Sequence, residues 1–234
     1  MQDLLDAFST AISLLVHLDA DLLEIVGLSL EVSLSALLFA ALVGLPLGAA
    51  VALFRLPGGR LAAMLLNALM GLPPVVVGLV VYLLLSRSGP LGFLGWLFTP
   101  RAMVLAQFIL ITPIVAALAR QVVEDLWEEY REQLRSLGSG ALRAIPTLLW
   151  DGRHRLLTTL LAGFGRAIGE VGAVIIVGGN IAHVTRVMTT AIALETSKGD
   201  LPLALALGIV LLLVSLAVNA AASLARDVAR GVEG

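Results

Sequence analysis

Residues 156–177 are apolar over a length that crosses a bilayer, yet they carry Arg166 and Glu170. A spanning helix needs about 20 apolar residues. At about 1.5 Å per residue the two charges lie roughly 15 to 20 Å along such a helix. An ionised group at that depth costs at least a few kcal/mol, so both should face protein or water rather than lipid. Their i, i+4 spacing places them on one helical face, where they can pair. Gly165, Gly169 and Ala173 form a small-xxx-small stripe that lets a neighbouring helix approach closely. A polar pair on a tightly packed intramembrane helix points to a transport path or to its scaffold.

Composition supports a membrane class. The 234 residues are 59% hydrophobic and 14% charged, with a mean hydropathy of +1.00. Soluble domains are nearer half apolar and a quarter charged. The chain is therefore expected to be an all-α polytopic membrane protein forming a single transmembrane domain over 1–234. A net charge of −2 argues against a nucleic-acid partner. No cysteine is present, which removes disulfides and thiolate metal sites. His17, His154 and His183 are scattered without ligand spacing, so neither a metal site nor a cofactor is expected.

In chain order, residues 1–18 have an apolar face interrupted by Asp3, Asp6 and Ser9. They lack a basic leader and a cleavage site, and they read as an amphipathic helix lying at the interface. Asp21 and Glu24 then resemble a capping box. A first span is expected from Leu22 to Phe54, with Glu24, Glu31 and Ser35 on one face. It ends in the turn Arg55-Leu-Pro-Gly-Gly-Arg60. The second, Leu61 to Leu85, carries Pro73-Pro74 at its centre, where the lost helix hydrogen bond predicts a break. Freed carbonyls of this kind often line cavities. The turn-rich link from Ser86 is followed by a short re-entrant or interfacial piece. The third span covers Ala102 to Leu118, with Pro113 in its last third. A polar stretch, 119–155, reads as two short helices around Gly138-Ser-Gly140. The fourth span leads to a polar link, Asn180 to Asp200, in which a new helix can begin around Thr185. The fifth span is Leu201 to Leu224.

Basic residues orient these five spans. Arg55, Arg60, Arg120, Arg131, Arg135, Arg143, Arg153, Arg155, Arg226 and Arg230 fall on one side. Arg87, Arg101, Arg186 and Lys198 fall on the other. The positive-inside rule puts the N-terminus outside and the C-terminus inside, with 119–155 cytoplasmic. On the outer side, the residues after Gly178-Gly179 offer backbone N–H groups with the hydroxyls of Thr185, Thr189 and Thr190. Together with Asn180 and the charge of Arg186, they form a weakly anion-attracting rim. Docking of a binding protein is the competing reading of the same residues.

The cytoplasmic stretch carries a resemblance. Glu132-Gln-Leu-Arg-Ser-Leu-Gly138 has the E-x5-G frame of the "EAA" loop of binding-protein-dependent ABC importer permeases. The alanines of that pattern are Gln133 and Leu134 here. The later I-x-L-P begins with Leu148 and closes with Trp150-Asp151. MGLPPVVVGLVVYLLLSRSGPLG (70–92) and GFGRAIGEVGAVIIVGGNI (163–181) resemble molybdate and tungstate permeases. VTRVMTTAIALETSKGD (184–200) resembles the tungstate branch. The resemblance covers roughly 24–220. It implies a type I importer permease fold and a homodimer in the inner membrane. It also implies two copies of a cytoplasmic ATP-binding subunit and an extracytoplasmic oxyanion-binding protein.

Residues 132–144 would then form the helix that seats in the ATPase, through Glu132, Gln133, Leu134, Leu137, Gly138 and Leu142. Pro73, Pro74, Arg166 and Glu170 would belong to the path or its gate, with Asn180, Thr185, Arg186, Thr189 and Thr190. The chain has no G-x4-G-K-[ST] loop, so it is not expected to hydrolyse ATP itself. Alternatives remain open: molybdate or another tetrahedral oxyanion as substrate, an ion-coupled secondary transporter, or an intramembrane enzyme using Glu170.

Overall fold

The computed structural model describes residues 9, 13, 20–53, 59–138 and 140–233, and only the backbone of 142 and 225–233. The amphipathic helix expected over 1–18, the turn residues 54–58 and the side chains of Leu142, Arg226 and Arg230 lie outside what is described. Among the described residues the secondary structure is helical: α1 Ala20–Leu53, α2 Gly59–Met70, α3 Pro74–Leu85, a 3-10 turn Gly92–Leu94, α4 Pro100–Ser136, α5 Ala141–Asp151, α6 Arg153–Ile168, α7 Gly172–Gly178, α8 Met188–Lys198 and α9 Leu201–Glu233. By length and hydropathy α1, α4 and Leu201–Leu224 of α9 can each cross a membrane. Counting the pairs α2–α3 and α6–α7 as one span each raises the total to five.

Two helix breaks follow from local chemistry. Helix α2 stops at Met70, and α3 restarts at Pro74. A proline is tolerated in the first turn because its missing N–H would have no helical partner there. The fourth span is interrupted between Ile168 and Gly172, which corrects the expectation of one continuous helix. Gly169 and Gly172 lower helix propensity by about 1 kcal/mol each, and Glu170 supplies an alternative to the helical hydrogen-bond ladder. The opposite correction applies to α4. It runs 37 residues through Pro113 to Ser136, so the first of the two short helices expected after 119 is the continuation of the third span. No glycine or proline separates Pro113 from Gly138, and Arg120 pairs with Glu124 at i, i+4.

The chain divides into two compact units. One contains 36–73 and 108–167. Within it, α1 lies against α4 at van der Waals distance: a methyl placed on Gly48 would collide with the Ala116 carbonyl oxygen, and one on Gly44 would sit 3.0 Å from Val115. Helix α5 closes this unit by burying Ala144 and Leu148 with Ala49, Leu53, Val123 and Leu126. The other unit contains residues up to 35, 74–107 and 168 onward. Its α3 packs on α7 so closely that a methyl on Gly78 would lie 2.8 Å from Ala173 Cα. Leu22, Met188, Ala191, Leu207 and Val210 make its second apolar cluster.

The two ends of the expected stripe Gly165–Gly169–Ala173 have different surroundings. A methyl on Gly165 would meet nothing within 4 Å, and Ala173 belongs to the α3–α7 contact. Regular helical spacing along the stripe ends at Ile168.

Candidate functional site

The break in the fourth span centres on Glu170, which is 3% exposed. The first N–H groups of any helix lack intrahelical partners. At the start of α7 the Glu170 carboxylate accepts the Ala173 N–H at 3.0 Å. A negative charge there also complements the helix dipole. The Glu170 main-chain carbonyl accepts the Thr189 hydroxyl at 2.8 Å. One residue thus caps α7 and ties it to the first turn of α8. Arg166 lies in the last turn of α6, before the break.

The start of α8 is held the same way. Met188 N–H donates to Ser29 Oγ at 2.8 Å, and Ser29 donates in turn to the Ile25 carbonyl of α1. Thr190 Oγ1 accepts the Val187 N–H at 3.1 Å. Helix α8 starts at Met188, later than the start expected around Thr185. Ser29, Ser33, Gln107, Glu170 and Thr189 line a cavity of about 10 Å³. That is the size of one water, far below what a tetrahedral oxyanion needs.

The α7–α8 loop is rigidly built. Gly179, at φ 74°, ends α7 with its N–H on Ile175 O. Asn180 and His183 also take positive φ, 50° and 58°. Thr185 is fully buried; its hydroxyl donates to Gly178 O at 2.6 Å and accepts from Ile181 N–H at 2.9 Å. The hydroxyls of Thr185, Thr189 and Thr190 are thus engaged in holding backbone. Arg186 is half-buried, and its Nε has no hydrogen-bond partner among the described residues. Asp21 and Glu24 share a small surface pocket with it.

At the α4–α5 turn, Glu132 and Gln133 are exposed, Leu134 packs into the α4–α5 core, and Leu137 is 82% exposed. Leu134 and Leu137 therefore do not share one apolar face. Gly138 turns the chain at φ 72°, a conformation other residues adopt only with strain. Trp150 of α5 is 70% exposed, which its place in an apolar run does not announce. Its ring carries the Arg153 guanidinium 5.1 Å from the centroid.

Broken apolar spans, a buried polar cap at the second break and a charged extension ending in a glycine turn define a multi-pass membrane transport subunit. The chain belongs to the family of binding-protein-dependent transport system inner membrane components, whose model matches residues 44–228. It is 44% identical to the tungstate uptake system permease protein TupB of Peptoclostridium acidaminophilum, over 91% of this chain and 93% of that one. The Campylobacter jejuni TupB is 36% identical over 88% and 87%. The molybdenum transport system permease protein ModB of Escherichia coli is 30% identical over 76% and 82%.

Proposed function

We propose that this chain is the transmembrane permease of an ABC importer that carries tungstate across the inner membrane, driven by ATP hydrolysed in a partner subunit. Likeness to the tungstate uptake permeases, over nearly the full length of both chains, carries this reading. Molybdate is the second reading, favoured by the more distant resemblance to the molybdenum permease. The whole chain acts as one transmembrane domain of five spans, N-terminus outside and C-terminus inside, and pairs with a second copy. Each copy engages one cytoplasmic ATP-binding subunit, and an extracytoplasmic binding protein delivers the anion.

Glu132, Gln133, Leu134, Leu137, Gly138 and Leu142 form the coupling region. Exposure of Leu137 beside a glycine-set turn supports this, since an apolar plug suits a groove in a partner. Pro73, Pro74, Arg166, Glu170, Asn180, Thr185, Arg186, Thr189 and Thr190 form the gate and its rim. The helix breaks at residues 70–74 and 168–172 support a gate, because backbone there can reorient without unzipping a full helix. The water-sized cavity at Glu170 supports a gate rather than a store. Reconstitution with the ATPase and binding protein tests the proposal. ATP-dependent uptake of tungstate that persists in excess molybdate is expected. Uptake without ATP overturns the importer reading, and equal uptake of molybdate overturns the choice of anion.

A further inference from the structure

The sequence offers no histidine with ligand spacing, but folding builds one such group. Asp21 and Glu24 stand one turn apart at the start of α1, and His183 reaches them from the α7–α8 loop. One ligand atom from each lies within 4.8 Å of the other two. His183 Nδ1 and Glu24 Oε2 are already 2.8 Å apart. Tetrahedral zinc with bond lengths near 2 Å holds its ligand atoms about 3.3 Å apart. All three side chains are exposed.

We propose that Asp21, Glu24 and His183 form a site for a divalent transition-metal ion of the zinc type. Mixed imidazole and carboxylate donors suit zinc better than magnesium, which prefers oxygen ligands alone. Three protein ligands leave a coordination position for water, which the exposure of all three allows. The loop that presents His183 is fixed on both sides of it. The Ile181 carbonyl accepts from the Val184, Thr185 and Arg186 N–H groups, and the buried Thr185 hydroxyl bridges Gly178 O and Ile181 N–H. Two carboxylates outweigh the one guanidinium, Arg186, that shares the pocket. The ion would displace the proton between His183 and Glu24 and clamp the loop to α1. This inference is independent of which anion is carried.

The test uses the untagged full chain in lipid nanodiscs, stripped with chelator and titrated with zinc by calorimetry. Saturation at one ion per chain is expected, with magnesium failing to compete. H183A and E24Q should each weaken binding by more than about tenfold. Cobalt in place of zinc should give visible absorption bands that H183A lacks. Thermal midpoints measured without metal show that the variants are folded. Unsaturable zinc binding, or either variant binding as the parent does, overturns the site and leaves His183–Glu24 as an ion pair alone.

Discussion

A methyl group on Gly48 has no room beside the Ala116 carbonyl, whereas one on Gly165 meets open space. Gly48→Val should therefore destabilise the chain by about 1–3 kcal/mol, the usual cost of forcing atoms into a packed contact. Gly165→Ala should be neutral or stabilising by up to about 1 kcal/mol, because alanine favours a helix. Thermal unfolding in detergent checks both, and a stable Gly48→Val protein would contradict the α1–α4 contact. Thr189 makes a different kind of prediction. Its hydroxyl is buried on the Glu170 carbonyl, so Thr189→Val should cost about 1 kcal/mol. In uptake assays it should also lower the maximal rate if the rim lies on the path. A change only in the binding-protein concentration needed would assign the rim to docking.

Among the elements, α7 depends on a cap that its own backbone cannot supply. Glu170→Ala leaves the Ala173 N–H buried without its acceptor, at a cost of about 1–3 kcal/mol. Glu170→Gln keeps an acceptor and should cost less; equal losses would show that the charge, not the hydrogen bond, matters. The α7–α8 loop responds to pH. The hydrogen bond from His183 to the Glu24 carboxylate, followed by the charges of Glu24 and Asp21, raises the His183 pKa above its ordinary 6.5. Burial and Arg186 oppose the rise. A raised folded value means that the clasp's contribution is fully present below about pH 6.5 and is lost as pH rises through the folded value. In chelator, the thermal midpoint of the parent should approach that of H183A as pH rises above about 6.5. A constant difference would remove His183 as the group responsible. At the α4–α5 turn, Leu137→Asp should leave the fold intact, since Leu137 is 82% exposed. It should abolish substrate-stimulated ATP hydrolysis in the assembled importer, and retention of that stimulation would displace the coupling region from this turn.

For the whole molecule, hydropathy alone settled the class. Apolar runs of bilayer length must satisfy their backbone internally, which leaves helices, and Pro73-Pro74 announced the first break because proline's missing N–H is a local property. The second break was not legible, although Gly169 and Gly172 were in view. An i, i+4 pair reads as helical until the Glu170 carboxylate is seen accepting from Ala173. Nothing in the sequence marks out Gly44 and Gly48, since only the neighbouring helix reveals which small side chains are needed. The long α4 follows from an unbroken run of helix formers, and the expected end of the third span at Leu118 has no residue to cause it. Ser29 and Met188, or Glu24 and His183, are 159 residues apart. Sequence therefore determined what is local: apolar length, turn residues and the charge asymmetry behind the proposed orientation. Tertiary structure alone decided which distant polar groups meet, because a buried donor takes whichever acceptor packing brings within hydrogen-bond reach.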